Sequence, residues 1–281
     1  MQYEDEALAF RCGGDWLYGI LSQPAGECRR GVLIVVGGPQ YRVGSHRQFI
    51  LLARALATRG IATLRFDYRG MGDSQGDMRD FETVQDDLCA AIDAFMEAVP
   101  GMREVVLWGL CDGASAIAMY AGNDPRVSGI VLLNPWVRTA NGLARTTLRH
   151  YYGSRLRDRA FWRQLMRGRL NLGRSVNSML SLVRTAYATT SVPESDKLAK
   201  LPDRMYAGIR NFNGPVLVII GGADLTGREF CDLTDATSTW KRLMASSRVT
   251  RRELDKADHT FSRRVWRDQV ADWTEEWLRS W

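Results

Sequence analysis

Short, continuously apolar runs alternate along the chain with longer stretches in which apolar residues recur every three or four positions. The first pattern is typical of strands buried on both faces of a sheet, and the second is typical of helices that cover such a sheet. Their alternation predicts an α/β fold with a mostly parallel central sheet and helices on both faces. The predicted strands are Ala7–Cys12, Trp16–Ser22, Gly31–Val36, Ala62–Asp67, Val105–Trp108, Val127–Leu133, Pro215–Ile220 and Val249–Leu254.

Local signals add turns and helix ends to this pattern. The first two strands are separated by Gly13, Gly14 and Asp15, which predicts a hairpin. Ser45 followed three residues later by Gln48 predicts a capping box at the start of the first helix. The other predicted helices are Phe81–Ala98, Ala114–Ala121 and a terminal helix that ends near Trp281.

Residues 138–214 differ from the rest of the chain in composition. Ten arginines but one acidic residue, Asp158, lie between Arg138 and Arg174, and strand patterns are scarce. This shift predicts an inserted helical cap, with residues 1–137 and 215–281 forming the core domain. An arginine-rich face is usually solvated, and the alternative is that it recognises an anionic group such as a carrier phosphate or an acidic sugar.

The overall composition is that of a folded globular protein. Of the 281 residues, 45% are hydrophobic and 25% are charged, which excludes a mainly disordered chain. The longest apolar runs span about five residues, whereas a membrane-spanning helix needs roughly 20. Three of the first six residues are acidic, and the segment contains no apolar run. We therefore expect no secretory signal and a cytoplasmic location. The net charge of +6 permits an anionic partner, but no nucleic-acid-binding motif accompanies it.

The cysteines and histidines leave little material for a metal site. Five cysteines are scattered without a paired spacing, and there are three histidines, so we expect neither a disulfide framework, a metal nor a cofactor. Of the cysteines, Cys111 lies in a distinctive motif, and we expect the other four (Cys12, Cys28, Cys89 and Cys231) to pack in the interior. His46 and His150 are expected at the surface or at helix ends, although His46 is close enough to a glycine-rich loop to reach a pocket.

The strongest chemical signal is Gly109-Leu110-Cys111-Asp112-Gly113, between a predicted strand and a predicted helix. A nucleophile on a tight strand-to-helix turn needs small residues two positions before and after it, because larger side chains would clash with the backbone. The glycines centre on Cys111, which makes this thiol the candidate nucleophile and Asp112 the less favoured alternative. The following helix directs amide dipoles towards the sulfur, which favours a thiolate.

With this motif in its strand–turn–helix context, the sequence resembles the α/β-hydrolase superfamily. The superfamily's triad follows the order nucleophile, acid, histidine, and Cys111, Asp224 and His259 occur in that order, each in a loop after a predicted strand. The resemblance therefore implies an α/β-hydrolase fold with a Cys-His-Asp triad and an inserted cap. A cysteine in place of the usual serine is similar to the dienelactone hydrolases.

Two further segments narrow the resemblance. The loop from Gly37 to Tyr41 and the stretch Arg65–Ser74 are similar to those of hydrolase 1 of the exosortase A system. That group accompanies exopolysaccharide production and protein sorting, so the resemblance implies a role linked to that metabolism.

The implied mechanism is cleavage of an ester or thioester through a covalent acyl-enzyme. His259 would exchange protons with Cys111 and later activate water, and Asp224 would orient the histidine. The oxyanion would be bound by the backbone N–H of Asp112 and by that of Gly38, with Gln40 in reserve because Pro39 has no N–H. The expected partner is a small acyl ester or thioester, with carrier-bound or anionic forms included.

Two other functions are compatible with the same residues. An acyltransferase would use the same acyl-enzyme but pass the acyl group to a hydroxyl or thiol instead of water. A non-catalytic binding protein would keep the fold and its pocket without turnover. Neither alternative involves nucleic acid or a membrane span.

Overall fold

A computed structural model describes residues 2–38, 40–137 and 195–281. Within them, eight strands form one sheet in the order β1-β2-β4-β3-β5-β6-β7-β8. Strands β1 and β2 form the predicted hairpin, β2 pairs antiparallel with β4, and all other pairs are parallel. The strands are β1 (Tyr3–Cys12), β2 (Asp15–Pro24), β3 (Arg30–Val35), β4 (Thr63–Asp67), β5 (Glu104–Leu110), β6 (Val127–Leu133), β7 (Val216–Gly221) and β8 (Val249–Leu254).

Helices connect the parallel strands and pack on the sheet. Helices α1 and α7 lie side by side, where Arg59 pairs with Asp272 at 2.5 Å and with Glu275 at 2.8 Å. The described helices are α1 (Gln48–Thr58), α2 (Gln85–Ala98), α3 (Asp112–Tyr120), α4 (Ser195–Asn211), α5 (Leu225–Ala236), α6 (Ser238–Met244) and α7 (Arg264–Leu278). The predicted α/β-hydrolase fold, with its mostly parallel sheet covered by helices, is confirmed.

The core is one continuous apolar cluster around the inner strands. Every residue of β4 and β7 is buried, as is nearly every residue of β3, β5 and β6. Strands covered on both faces need apolar residues at successive positions, which explains their continuous apolar runs. By contrast, the hairpin strand β1 is mostly exposed.

Two predicted helix starts are wrong. Ser45 does not cap α1, because His46 and Arg47 take left-handed backbone conformations (φ 52° and 59°) and the helix begins only at Gln48. Helix α2 begins at Gln85 rather than at Phe81. The Asp80 carboxylate holds a preceding turn, where it accepts the backbone N–H of Glu82 at 3.0 Å.

Most of the predicted cap lies outside the described residues, which resume at 195. Helix α4, at its carboxyl end, packs directly on α3, where Gly208 approaches the backbone of Ala118 so closely that a Cβ would overlap it. Leu201, Met205 and Ile209 on this helix are buried in the core. The division between core and cap at residue 214 stays a prediction.

Candidate active site

Cys111 occupies the sharp turn between β5 and α3. Its backbone has φ 60° and ψ −125°, a strained conformation for a residue other than glycine. Such strain persists where surrounding structure fixes it, and here the Cys111 N–H donates to the Leu133 carbonyl at 2.9 Å. The Cys111 carbonyl accepts the N–H of Trp136 at 3.2 Å. The turn thus lifts the half-buried thiol to the carboxyl edge of the sheet, where parallel α/β folds bind ligands.

The glycines around Cys111 are required by close packing. A Cβ at Gly109 would lie 2.7 Å from Ile117 Cδ1 and 2.8 Å from the carbonyl carbon of Gly113. A Cβ at Gly113 would lie 2.6 Å from the backbone oxygen of Val35. All three distances are shorter than real Cβ contacts, so neither position has room for a side chain.

Asp224 and His259 come together at the same edge, in the loops after β7 and β8. Nδ1 of His259 lies 3.0 Å from Oδ2 of Asp224. The two atoms have the separation of an ion pair but not the direction of a linear hydrogen bond. Asp224 is buried and also caps α5, where it accepts the N–H of Gly227 at 2.9 Å. The carboxylate is therefore fixed by the helix and faces the imidazole.

This environment strongly favours protonated His259. The Asp224 carboxylate 3.0 Å away and then the adjacent Cys111 side chain, against partial burial of the ring, raise the pKa of His259 to about 10. The imidazole is therefore an imidazolium at neutral pH, next to the thiol that the sequence selects. A nucleophile and a proton carrier are thus neighbours at this edge of the sheet.

The neighbouring Asp258 does not compete for the imidazole. Its Oδ1 accepts the Ser262 N–H at 2.9 Å, and its other oxygen accepts the Ser262 hydroxyl. Although partial burial opposes it, these bonds lower the pKa of Asp258, and the charge of His46 contributes. His46 thus lies near the loop that carries His259, whereas His150 lies outside the described residues.

Asn134 is a site residue that sequence reasoning missed. It follows β6 in a left-handed conformation (φ 40°) and is fully buried. Its side-chain N–H donates to the His259 carbonyl at 3.0 Å, and its side-chain oxygen accepts the Gly221 N–H at 2.7 Å. One side chain therefore connects the end of β7, which leads to Asp224, with the loop of His259. A single asparagine after a strand has no pattern that announces this role.

The Asp112 side chain takes an unexpected position. Its Oδ2 accepts the Gly38 N–H at 2.8 Å, and its Oδ1 accepts the Gly113 N–H at 3.0 Å. Burial raises the pKa of Asp112, although these backbone hydrogen bonds oppose the shift. The Gly38 N–H predicted to bind an oxyanion is thus already paired with a carboxylate oxygen.

The remaining cysteines differ from the expectation in one case. Cys12, Cys28 and Cys231 are buried, but Cys89 is exposed on α2, and the prediction that it packs in the interior is wrong. Helix α2 turns this position away from the sheet, towards Arg126, whose Nη2 lies 3.4 Å from the sulfur. All five cysteines are free thiols.

Metal sites and membrane spans each require a particular arrangement of residues. Within the described ranges, no group of three or more histidine, cysteine or acidic residues is placed to hold a metal ion. No helix in those same ranges combines the length and the apolar character needed to cross a bilayer.

A cavity of about 510 Å³ opens beside the site. It begins at Gly38 and Asp112 and extends along the loop that follows β4. Its other described walls are mainly aromatic and methionine side chains, namely Tyr41, Tyr68, Met71, Met78 and Phe81. Its volume lies within the range of small-molecule sites.

Solved structures of very different sequence share this architecture. An esterase from Pyrococcus furiosus, Pf2001, superposes with a TM-score of 0.67 at 15% identity, covering 99% of this chain and 93% of its own. Est1E from Butyrivibrio proteoclasticus, solved with ferulic acid, gives a TM-score of 0.65 at 15% identity, with 97% and 98% covered. A dienelactone hydrolase from Anabaena variabilis gives 0.62 at 17% identity, with 100% and 99% covered.

The sequence itself matches a family model over most of its length. No curated protein matches the chain. The model of the alpha/beta hydrolase family matches residues 32–273, a range that contains Cys111, Asp224 and His259. The chain therefore belongs to the alpha/beta hydrolase family.

Proposed function

We propose that this protein hydrolyses a carboxylic ester or thioester through an acyl-enzyme on Cys111. The observation that carries the proposal is the convergence of three loops at one edge of the sheet. They bring together a thiol on a strained elbow, an imidazole, and a buried carboxylate 3.0 Å from that imidazole. Nucleophile, proton carrier and orienting acid are the three groups that covalent acyl transfer requires.

The first half of the reaction forms the acyl-enzyme. The Cys111 thiolate attacks the carbonyl carbon, a C–S bond forms, and the carbonyl electrons move to its oxygen. As they return, the bond to the leaving oxygen or sulfur breaks and the leaving group takes the proton of His259. Because His259 is protonated at neutral pH, it holds the proton that this step needs.

The second half releases the acid. Neutral His259 removes a proton from water as the water oxygen attacks the thioester carbonyl. Collapse of this second intermediate breaks the C–S bond, which frees the carboxylic acid and restores the thiolate beside the imidazolium. Asp224 stabilises the imidazolium that is present before acylation and is restored after deacylation. Asn134 acts as a positioning residue for the histidine loop.

The backbone N–H groups of Gly38 and Asp112 are proposed to bind the oxyanion, with the Gln40 N–H in reserve. The Asp112 carboxylate oxygen 2.8 Å from the Gly38 nitrogen stands in for a substrate oxygen. That contact supports Gly38 as an anion donor. Since two negative charges repel each other at this range, the carboxylate must turn away from the Gly38 N–H when the oxyanion forms.

The substrate class is proposed from the family and the site together. The structural neighbours include an esterase and a dienelactone hydrolase, and ferulic acid was bound in a third. The thiol nucleophile extends this class to thioesters. The loop resemblances add a role linked to the exosortase A system, in the cytoplasm, and the arginine-rich residues 138–174 keep carrier-bound or anionic substrates within the proposal.

The test is turnover of a panel of acyl thioesters and activated esters by wild type and Cys111→Ala, with circular dichroism to establish folding. We expect release of thiol or alcohol by wild type and none above background by the variant. Undiminished turnover by the variant would overturn the proposal. Adding hydroxyl and thiol acceptors to the same reactions separates hydrolysis from acyl transfer, because an acyltransferase would form a new ester or thioester.

A further inference from the structure

The cavity beside Asp112 has a wall that is unusually apolar for an accessible surface. The Met78 side chain is 77% exposed and that of Tyr41 is 48% exposed, and both border the cavity. Tyr68 and Met71 are buried beneath them and form its fixed floor. Exposed large apolar side chains above an apolar floor are typical of a site that a ligand covers.

The phenol of Tyr68 adds no charge to this floor. Burial raises the pKa of Tyr68, and the negative charge of Asp112 contributes. Tyr68 is therefore a neutral phenol at physiological pH. Near the rim, Arg79 and Asp80 carry opposite charges, so the carboxylate of Asp112 is left as the unbalanced charge of the described lining.

The cavity borders the proposed oxyanion donors but not the proton carrier. Its described lining comes from the loop after β3, from the loop after β4, and from Asp112, and neither His259 nor Asp224 is part of it. His259 must deliver its proton to the leaving atom, so the leaving group lies on the histidine side. The remaining substituent of the carbonyl carbon, the acyl chain, then points towards the cavity.

An aromatic pair links the cavity with the nucleophile. Phe81, in the cavity wall, contacts Trp136 edge to face with ring centroids 5.3 Å apart. The backbone N–H of Trp136 donates to the Cys111 carbonyl at 3.2 Å. Trp136 therefore joins the cavity wall to the backbone of the elbow.

We propose that this cavity binds the acyl chain of the substrate, that the chain is apolar and uncharged, and that Asp112 excludes acyl chains with a carboxylate. The inference rests on the proposed acyl-enzyme at Cys111 and names the substrate class of that site. Asp112 is a specificity residue here because it lines the cavity and its carboxylate lies 2.8 Å from the nitrogen of Gly38, the proposed oxyanion donor. An anionic acyl chain would bring a second negative charge into an apolar-walled cavity that already holds this carboxylate.

The test uses thioesters of N-acetylcysteamine, which keep the leaving group constant. Acyl chains are acetyl, octanoyl and 7-carboxyheptanoyl, the last matching octanoyl in length but ending in a carboxylate. Met78→Glu places a charge at the cavity, and Val265→Glu is its control, since Val265 is 68% exposed on α7 and does not border the cavity.

We expect wild type to prefer octanoyl over 7-carboxyheptanoyl, and Met78→Glu to lower the octanoyl-to-acetyl ratio of kcat/KM by about tenfold or more. Val265→Glu should leave this ratio as in wild type. Equal losses on both chains in Met78→Glu would overturn the assignment. A second substrate series keeps the acetyl group and extends the leaving group to octyl. A selective loss on this long leaving group in Met78→Glu would also overturn the assignment.

Asp112→Asn tests the charge. It should raise the ratio of kcat/KM for 7-carboxyheptanoyl over octanoyl by about tenfold, because the like charge is removed. Asp80→Asn is the matched control at the rim and should change the ratio less. An unchanged ratio in Asp112→Asn would contradict the assigned role of Asp112.

A binding measurement separates failure of this inference from failure of the proposed function. Octanamide is titrated calorimetrically into Cys111→Ala protein, which needs no turnover. Binding that is weakened by an added Met78→Glu but not by an added Val265→Glu would support the cavity even if wild type cleaved no ester. Equal heats in both double variants, or absent binding, would overturn the acyl site.

Discussion

The two halves of the candidate catalytic group are held in different ways. The nucleophile half is fixed by sterics around one short motif, where Gly109 and Gly113 leave no room for a Cβ beside Ile117 and the Val35 backbone. The acid–base half is held by hydrogen bonds among three loops, with Asn134 between the Gly221 N–H and the His259 carbonyl. The nucleophile is therefore preorganised by close packing around one motif, and its partners are preorganised by hydrogen bonds between loops.

The largest expected effect is on the acid–base half. Asp224→Asn should lower kcat by about 10⁴-fold, because the amide can no longer stabilise the imidazolium or fix its tautomer. Folding should be nearly intact, since an asparagine is also a good N-cap for α5. Steady-state kinetics with thermal unfolding as the folding control measures this. A loss below tenfold would mean that Asp224 is only a helix cap.

In the nucleophile half, we expect the main effect of a substitution to be a loss of folding stability. Gly113→Val should lower the free energy of unfolding by about 3–5 kcal/mol, because its Cβ would lie 2.6 Å from the Val35 oxygen. Gly14→Val is the control, since a Cβ there meets no atom within 4 Å. Urea unfolding compares the two. Equal stabilities would show that the elbow has more space than its geometry indicates.

Asn134 sharpens the comparison because its two bonds can be removed separately. Asn134→Ala leaves a buried N–H and a buried carbonyl unpaired and should cost about 2–3 kcal/mol of stability. Asn134→Asp keeps the acceptor for Gly221 but loses the donor to His259. The pH dependence of kcat/KM is controlled by His259. We therefore expect Asn134→Asp to shift this pH dependence and to leave the KM nearly unchanged.

The pH profiles of Asn134→Asp and wild type are measured on one thioester. A variant that lost stability but kept the wild-type profile would make Asn134 a structural residue with no positioning role. In that case Asn134→Ser should also lose stability and keep the wild-type pH profile.

The last expected effect is a pH dependence of stability. Interaction with Asp224 and Cys111 raises the pKa of His259 from 6.5 to about 10 in the folded protein. The stabilisation from protonated His259 is therefore complete below about pH 6.5 and is lost as the pH rises towards 10. Urea unfolding between pH 6 and 10 should show a decline that is weaker in His259→Gln. Parallel curves for the two proteins would contradict this linkage.

The same contrast explains what the sequence could reveal. The strands and the elbow depend on local apolar runs and on glycines that sterics require, so their positions are readable from the residues alone. The capping box predicted at Ser45 does not form, because the left-handed residues His46 and Arg47 lie between Ser45 and the helix. Nothing in the identity of these two residues requires that conformation.

The contacts of Asn134 and Asp112 belong to tertiary structure. Asn134 and His259 are 125 positions apart in the sequence, and the Asp112 carboxylate reaches Gly38 across 74 positions. Neither bond leaves a local pattern, so the motif predicted the backbone of Asp112 as an oxyanion donor but gave no indication of its side chain.

The most direct test of the central claim is the location of the acyl group. Wild-type protein is mixed with octanoyl thioester, quenched in acid within the first turnover, and digested for peptide mapping by mass spectrometry, with Cys111→Ala as the control. We predict an octanoyl group on the Cys111 sulfur in wild type and no acyl peptide in the variant. An octanoyl group on Asp112, or one that persists in Cys111→Ala, would contradict the account.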